Sequence, residues 1–287
     1  MTLWQSLQEA EALLRSRGIQ EPRVEAELLL MHAVGLDRAR LYADLQQQLA
    51  CPDTFWALVE RRLRNEPTAY ITNRRPFYGV DLYVDPRVMI PRQETELLVD
   101  EALKFAHGKL LSGGAFLIAD VGTGSGAIAV ALAINIPQCT IYAIDISADA
   151  LEVASINCRE QGVSDRVHLL LGDMLNPLDV SADIIVANLP YISDLEMQDL
   201  APEIRDFEPR LALDGGCDGL DKVRQLLPQA KGKLCPGGML LLEIGQAQSR
   251  TAIPLCRSLF PEAQVDVVAD LAGMDRVVKV TDLRPRC

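Results

Sequence analysis

The feature that most constrains this sequence is a regular alternation of short apolar runs and longer segments of helical length from residue 116 onward. Runs such as 116–122 (FLIADVG), 140–145 (TIYAID) and 183–188 (DIIVAN) are rich in Val, Ile and Leu. Such runs are typical of strands buried on both faces, and 126–136 and 148–161 between them have the length and composition of helices. The alternation predicts an α/β domain built on a mostly parallel, doubly wound sheet with helices on both faces.

The same alternation continues to the end of the chain. The further predicted elements are strands at 167–173, 238–245, 264–270 and 276–280, and helices at 220–234 and 246–260. In sheets of this kind, ligands bind at the carboxyl ends of the strands. We therefore expect the functional residues in the turns that follow the strands.

The part of the chain that precedes this domain has a different composition. The whole chain has 287 residues, about twice the length of a common domain, so a second unit is expected. Residues 1–72 are rich in Leu, Ala, Gln, Glu and Arg with helical spacing, which predicts a bundle of about four helices. Residues 73–92 are rich in β-branched and aromatic residues with Pro and Gly, which predicts a hairpin linker. The α/β domain then covers 93–287, with a helix beginning near Glu94.

Charge and composition exclude several classes of protein. The formal net charge is −12, which disfavours a nucleic-acid partner, and no apolar run is long enough to span a membrane. We expect a cytoplasmic protein without a membrane partner. Neither the three histidines nor the seven cysteines are spaced for a metal site or a catalytic triad. The cysteines, expected to be buried free thiols, are at positions 51, 139, 158, 217, 235, 256 and 287.

A glycine-rich turn follows the first strand of the α/β domain, at 120–126 (DVGTGSG). Glycines there let the backbone pass close beneath a ligand, and Asp145 at the end of the next strand is placed to accept both hydrogen bonds of a ribose diol. The spacing also satisfies a relaxed NAD fingerprint, so NAD stays open at this point. Asp120 favours S-adenosylmethionine, because its charge opposes a pyrophosphate but suits an amino group.

The tetrapeptide Asn188-Leu189-Pro190-Tyr191 follows the fourth strand of the domain. Pro190 holds Leu189 extended, so that the Asn188 side-chain oxygen and the Leu189 carbonyl can accept the two protons of a planar NH2 group. Tyr191 offers an aromatic face to that group. The arrangement suits methylation of an amide or an aromatic amine nitrogen.

Several motifs occur together in one order along nearly the whole chain. They are EPTAYI (66–71), FYG (77–79), IPRQETE (90–96), DVGTGSG (120–126), NLPY (188–191) and FEPR (207–210). In this order they resemble the release factor glutamine methyltransferase family (PrmC/HemK). The resemblance implies a helical substrate-recognition domain, a hairpin linker and a Rossmann-like class I methyltransferase domain. It also implies S-adenosylmethionine as cofactor and class I peptide chain release factors, methylated at the glutamine of their GGQ motif, as partners in translation termination.

The resemblance also implies roles for individual residues. Residues Asp120, Val121, Gly122, Thr123 and Gly124 would surround the methionine half of the cofactor. Asp173 and Met174 would lie near its adenine, and Asn188 between cofactor and substrate. Residues 188–191 would be the catalytic and substrate-binding segment. The family usually has proline at position 189, where this chain has leucine, and NLPY is also similar to ribosomal-RNA adenine dimethyltransferases.

Two other motifs have alternative interpretations. In the family, block 90–96 lies over the methionine end of the cofactor, so Arg92 and Thr95 are candidates to shape the pocket. Arg92 and Glu96 are alternatively a charge pair at the start of a helix, and residues 207–209 a simple surface turn. As a whole, the sequence predicts a glutamine methyltransferase. The alternatives are an adenine methyltransferase acting on RNA or DNA and a catalytically silent, methyltransferase-like binding subunit.

Overall fold

The computed structural model describes residues 1–110 and 116–282. Within them the α-helices are α1 (Leu3–Ser16), α2 (Pro22–Val34), α3 (Arg38–Ala43), α4 (Pro52–Leu63), α5 (Thr68–Thr72), α6 (Glu96–Leu110), α7 (Ala127–Asn135), α8 (Ala148–Glu160), α9 (Pro202–Arg205), α10 (Asp221–Lys233) and α11 (Ser249–Leu259). The strands are β1 (Arg74–Phe77), β2 (Val80–Tyr83), β3 (Phe116–Val121), β4 (Cys139–Asp145), β5 (Val167–Leu171), β6 (Ala182–Ala187), β7 (Leu234–Glu243), β8 (Gln264–Ala269) and β9 (Asp275–Thr281).

The chain divides into two compact units. The first, which we call the helical unit, comprises Met1–Arg74 together with Ala201–Phe207, and the second contains the rest of the described chain. Helices α1 to α5 of the helical unit enclose their own apolar core, to which Leu7, Leu30 and Phe55 contribute fully buried side chains. Local sequence sets the helix ends: Thr2 forms a capping box at the start of α1, and proline begins α2 and α4.

A buried charge network joins the two segments of the helical unit. Arg62 on α4 is 4% exposed. Its Nε lies 2.9 Å from Glu25 Oε2 and its Nη2 lies 2.7 Å from Glu203 Oε2. A guanidinium taken out of water costs several kcal/mol unless carboxylates pair with it. The two glutamates therefore stabilise Arg62 and fix Ala201–Phe207 against the helices of this unit.

The second unit is built on a seven-stranded sheet of order β5-β4-β3-β6-β7-β9-β8. The neighbouring strands from β5 to β7 are parallel, and two apolar clusters cover the faces of the sheet. This confirms the predicted α/β class with a mostly parallel sheet. Strands β8 and β9 run antiparallel to each other, because the turn at Asp270–Gly273 that joins them is too short for a crossover.

The predicted hairpin is present as β1 and β2. Its tip residues Tyr78 and Gly79 both have positive φ, 50° and 74°, as a two-residue hairpin turn requires. The Tyr78 hydroxyl donates to Asp100 at 2.7 Å. Asn157 on α8 is fully buried, accepts from Tyr83 N–H and donates to the carbonyls of Tyr83 and Ser125. One asparagine thus ties the hairpin to the glycine-rich turn.

The cysteines are free thiols wherever the structure describes them, but not all are buried. Cys139, Cys158 and Cys256 are buried, whereas Cys217 is exposed, so the expectation of uniform burial is wrong there. Cys217 lies in a glycine-rich loop that offers it no apolar cover. The expectation for Cys287 falls outside the described residues. In the described ranges, no helix combines the length and apolarity that crossing a bilayer requires.

Candidate functional site

Strand register brings the predicted site residues to one edge of the sheet. Val121 on β3 is opposite Ile144 on β4 and Ala187 on β6. The residues that follow them, Gly122, Asp145 and Asn188, therefore leave three adjacent parallel strands side by side. The sequence separates these residues widely, and the sheet alone brings them together.

The turn after β3 is shaped by its glycines. Gly122, Gly124 and Gly126 have φ of 73°, 55° and 79°, a region that side chains with a Cβ rarely adopt. Space is limited as well, since a Cβ on Gly122 would lie 3.2 Å from the Leu189 side chain. One on Gly126 would lie 3.1 Å from Ala154 on α8. The glycines hold the turn close to both β6 and α8.

Asp145 is held by the same turn. Its Oδ2 accepts from Gly124 N–H at 2.8 Å and its Oδ1 from Ser147 N–H at 2.9 Å. Burial raises the pKa of Asp145, and these backbone hydrogen bonds oppose that rise. Each carboxylate oxygen retains a second lone pair, so Asp145 is a fixed acceptor that can still take hydrogen bonds from a ligand.

Asp120 lies beneath the turn and is fully buried. Its Oδ2 accepts from the Thr123 hydroxyl at 2.6 Å, while its Oδ1 has no hydrogen-bond partner within the described part of the chain. Burial raises the pKa of Asp120 to about 7. Asp120 is not part of the cavity wall described next, so its predicted contact with an amino group stays a prediction.

A cavity that is partly open to solvent lies at this edge of the sheet. The carboxyl ends of parallel strands are the usual position of a ligand site in such sheets. Predicted site residues that line the cavity are Val121, Gly122, Thr123, Gly124, Asp145, Asp173, Met174, Asn188, Leu189 and Pro190. Thr95, which the sequence indicated as a pocket residue, also lines the cavity. The wall further includes the exposed side chain of Ile146 together with Pro209, Leu211 and Lys222, which the sequence did not indicate as site residues.

Asn188 presents a defined amide at the edge of this cavity. Its Nδ2 donates to the Thr95 hydroxyl at 3.0 Å. Within the described chain, no protein donor bonds Asn188 Oδ1 or the Leu189 carbonyl oxygen. Neither acceptor is therefore occupied by a described protein group, and their binding of a substrate amide stays a prediction.

Tyr191 has surroundings that the sequence did not predict. It is partly buried and does not line the cavity. Burial raises its pKa to about 12, and the carboxylate of Glu243 acts in the same direction. The Tyr191 carbonyl accepts from Gln248 Nε2 at 2.8 Å. Whether its ring contacts a substrate stays a prediction.

Glycines of the loop 213–220 pack directly on the Tyr191 backbone. A Cβ on Gly215 would lie 2.8 Å from Tyr191 Cα, and one on Gly219 would overlap the Tyr191 carbonyl oxygen and the Gln248 amide. Gly219 also has φ of 76°. The glycine-rich run DGGCDG at 214–219 is the only sequence signal of this close approach, and nothing in it points to Tyr191.

The blocks at 90–96 and 207–210 meet through an ion pair. Arg92 Nη2 lies 2.5 Å from Glu208 Oε1, and the Glu208 side chain is 1% exposed. Glu96 instead accepts from Tyr78 N–H at 2.8 Å. The alternative of an Arg92–Glu96 pair is therefore wrong, as is that of a simple surface turn at Glu208. Burial of Glu208 requires a cation, which Arg92 supplies.

Comparisons with known proteins agree with this geometry. Residues 5–72 match the model of the PrmC N-terminal domain, and residues 115–217 match a methyltransferase domain. A release factor glutamine methyltransferase of Moorella thermoacetica is 46% identical over 96% of this chain and 97% of its own. One of Geobacter sulfurreducens is 40% identical over 92% and 91%. The chain belongs to the release factor glutamine methyltransferase family.

Solved structures support the fold. A methyltransferase from Pyrococcus furiosus superposes with a TM-score of 0.51 at 17% identity, covering 77% of this chain and 96% of that one. The ribosomal protein L11 methylase of Lactobacillus delbrueckii subsp. bulgaricus gives a TM-score of 0.50 at 20% identity, covering 72% and 90%. The sheet is therefore that of a Rossmann-like class I methyltransferase.

S-adenosylmethionine is the methyl donor of this enzyme, and the residues at the sheet edge fit it. Asp145 is a fixed carboxylate suited to a ribose diol, and the exposed apolar side chain of Ile146 beside it suits a purine face. Asp173 and Met174 line the same cavity. Asp120 lies below the turn with an unpartnered Oδ1, and its contact with the cofactor's amino group stays a prediction.

Replacing Asp145 tests this assignment. Asp145→Ala should weaken S-adenosylmethionine binding at least about tenfold, because charge-assisted hydrogen bonds contribute roughly 1.5 to 3 kcal/mol each. Titration calorimetry measures the dissociation constant. Asp149→Ala, which removes an exposed carboxylate from the first turn of α8, is the control and should leave the dissociation constant unchanged. An unchanged dissociation constant in Asp145→Ala would show that Asp145 does not bind the cofactor. In the same experiment, NAD should not bind the unmodified protein.

A second prediction concerns the glycine that packs on Tyr191. Gly219→Ala should lower the free energy of unfolding by at least about 2 kcal/mol more than Gly273→Ala. Both glycines have nearly the same φ, 76° and 77°, but Gly273 has open space where a Cβ would lie. Urea denaturation of the two variants separates steric overlap from backbone strain. Equal losses would show that the loop moves freely away from Tyr191.

Proposed function

We propose that this protein transfers a methyl group from S-adenosylmethionine to the side-chain amide nitrogen of the glutamine in the GGQ motif of peptide chain release factors, in translation termination. The single observation that carries the proposal is the pair of free acceptors, Asn188 Oδ1 and the Leu189 carbonyl, at the cavity edge. A glutamine amide has two protons on one planar nitrogen, which matches two acceptors. The names of the relatives indicate the same substrate.

The residues present account for the reaction without a general base. When bound, the cofactor supplies an electrophilic methyl group on a sulfonium. Asn188 and Leu189 hold the amide so that its nitrogen, whose lone pair is delocalised, faces that methyl group. Transfer would leave the amide nitrogen with one proton to lose, which water can accept, so no residue of this chain is required as a base. The two acceptors stabilise the positive charge that develops on the N–H groups during transfer.

The helical unit is the candidate for recognising the rest of the release factor. The residues that line the cofactor cavity all belong to the second unit, within 87–222. The helical unit therefore has no part in that wall, and recognition of a folded substrate is the role left to it. Because release factors act at the ribosome, we place the protein in the cytoplasm.

The main alternative is an adenine amino group of RNA or DNA as acceptor. The same two oxygens could hold such a group, since it is also a planar NH2. A nucleic-acid substrate requires a surface that attracts phosphates, whereas this chain has a net charge of −12. Methyl incorporation into release factor, compared with incorporation into RNA and DNA, decides between the substrates.

Replacing Asn188 tests the proposed reaction. Asn188→Ala should lower kcat on release factor about 100-fold or more, the scale of losing one preorganised contact, with cofactor affinity changed much less. Single-turnover assays with labelled cofactor, and mass spectrometry of the GGQ peptide, measure the effect. Asn176→Ala, an exposed asparagine outside the cavity, is the control. Methylation by Asn188→Ala at the unmodified rate would contradict the assignment of this segment.

The role of the helical unit predicts a difference between substrates. With the full-length enzyme, kcat/KM for a short GGQ peptide should be at least about 100-fold below that for the whole release factor, because remote binding energy is lost. A short GGQ peptide with blocked termini serves in the same assay. Equal values for peptide and factor would show that recognition requires only the segment around the glutamine.

A further inference from the structure

The two ends of the Asn188 amide have nearly the same shape, so packing alone does not decide which end faces the cavity. Only hydrogen-bond partners distinguish the oxygen from the nitrogen. The chemistry of the proposed function, on which this inference rests, requires the oxygen to face the substrate. The partner on the protein side of Asn188 therefore determines whether the site works.

That partner is the hydroxyl of Thr95, which is 4% exposed and accepts from Asn188 Nδ2 at 3.0 Å. A hydroxyl has one proton and can act in either direction, so Thr95 by itself would tolerate both orientations of the amide. If it donated to Asn188, the amide would have to present its oxygen to Thr95 and its nitrogen to the cavity. Something must direct the Thr95 proton elsewhere.

Glu243 is placed to direct it. Ala187 on β6 is opposite Leu242 on β7, so Asn188 and Glu243 are the next residues on two neighbouring parallel strands. Glu243 is 3% exposed, and the nearby hydroxyls of Thr95 and Tyr191 lower its pKa. Its Oε2 has no hydrogen-bond partner in the described part of the chain. An ionised carboxylate can only accept, so a hydrogen bond between the Thr95 hydroxyl and Glu243 would have Thr95 as its donor.

We propose that Glu243 is a positioning residue that acts through the Thr95 hydroxyl to hold the Asn188 amide with its oxygen toward the substrate. Glu243 accepts the hydrogen bond of the Thr95 hydroxyl, which leaves the lone pairs of the Thr95 oxygen to accept from Asn188 Nδ2. Asn188 Oδ1 is then turned to the cavity beside the Leu189 carbonyl. The negative charge on the buried Glu243 thus sets the direction of both hydrogen bonds, from Thr95 to Glu243 and from Asn188 to Thr95.

The charge on Glu243 depends on pH within the physiological range. Burial raises the pKa of Glu243 to about 7, and the nearby carboxylate of Glu94 acts in the same direction. The hydroxyls of Thr95 and Tyr191 and the positive charge of Arg276 on β9 lower it. Below this pKa the acid carries a proton that it can donate to Thr95. The constraint on Asn188 is then removed, so it is present above about pH 7 and is lost as the pH falls.

Nuclear magnetic resonance tests this chain of bonds without reference to activity. With ¹⁵N-labelled asparagine, the Asn188 side-chain amide signals are assigned by their absence in Asn188→Ala. They should shift between about pH 5.5 and 8.5 with an apparent pKa near 7 in the unmodified protein and in Thr95→Ser. The shift should vanish in Glu243→Gln and in Thr95→Val. A shift that persists in Thr95→Val would overturn the proposal.

Kinetics give an independent measurement. At saturating cofactor, Thr95→Val and Glu243→Gln should each lower kcat on release factor about tenfold or more, with the cofactor dissociation constant changed less than about threefold. Thr95→Ser, which keeps the hydroxyl, should retain most of the turnover. In the unmodified protein, kcat should decline as the pH falls below about 7, and this decline should be absent in Glu243→Gln.

A double-mutant cycle separates positioning from general damage. In the Asn188→Ala background, Thr95→Val should cause no further loss, because the amide it orients is gone. A full additional loss would show that Thr95 and Glu243 act on the fold instead, and the inference would fail. An unmodified protein that methylates no release factor would refute the proposed function alone, since the resonance titration still decides the role of Glu243.

Discussion

Parallel alignment of β3, β4, β6 and β7 is the constraint on which the site depends. In a parallel sheet, each strand delivers the residue after its last hydrogen bond to the same edge. This edge therefore collects a glycine turn, the Asp145 carboxylate, the Asn188 amide and a buried glutamate from positions separated by more than a hundred residues. Loss of register at any of these strands would move one functional group away from the others.

Asp120 and Glu243, two acids at this edge, are buried although their ionised forms are more stable in water. Burial raises the pKa of each to about 7. Each therefore reduces stability as the pH rises from about 4, the ordinary pKa of a carboxyl group, to about 7, because over that range the folded state retains a proton that the unfolded state has released. Both have one oxygen without a hydrogen bond among the described residues. The apolar clusters on the two faces of the sheet supply the stability that makes this arrangement tolerable.

The sequence was sufficient for the fold and for most of the cavity wall, because local signals specify them. Strand composition, glycines before helices and strand-end polar residues predicted that Gly122, Asp145 and Asn188 lie at the carboxyl edge of the sheet, which is where the structure has them. Arg92, Glu208 and Glu243 could not be interpreted this way. Their partners depend on tertiary contacts across 116 residues in the case of Arg92 and Glu208, and on strand order in the case of Glu243. The surroundings of Tyr191 were missed for the same reason, since the glycines that pack on it act at a distance in sequence.

The helical unit has a consequence for synthesis on the ribosome. Its five amino-terminal helices emerge first, but the segment Ala201–Phe207 that completes it is made much later. Arg62 and Glu203 are separated by 141 residues. At about 5 to 20 residues per second, that interval lasts roughly 7 to 28 s. During that time the nascent helices hold Arg62 with Glu25 alone, so the first unit to be synthesised cannot finish folding until most of the second has left the ribosome.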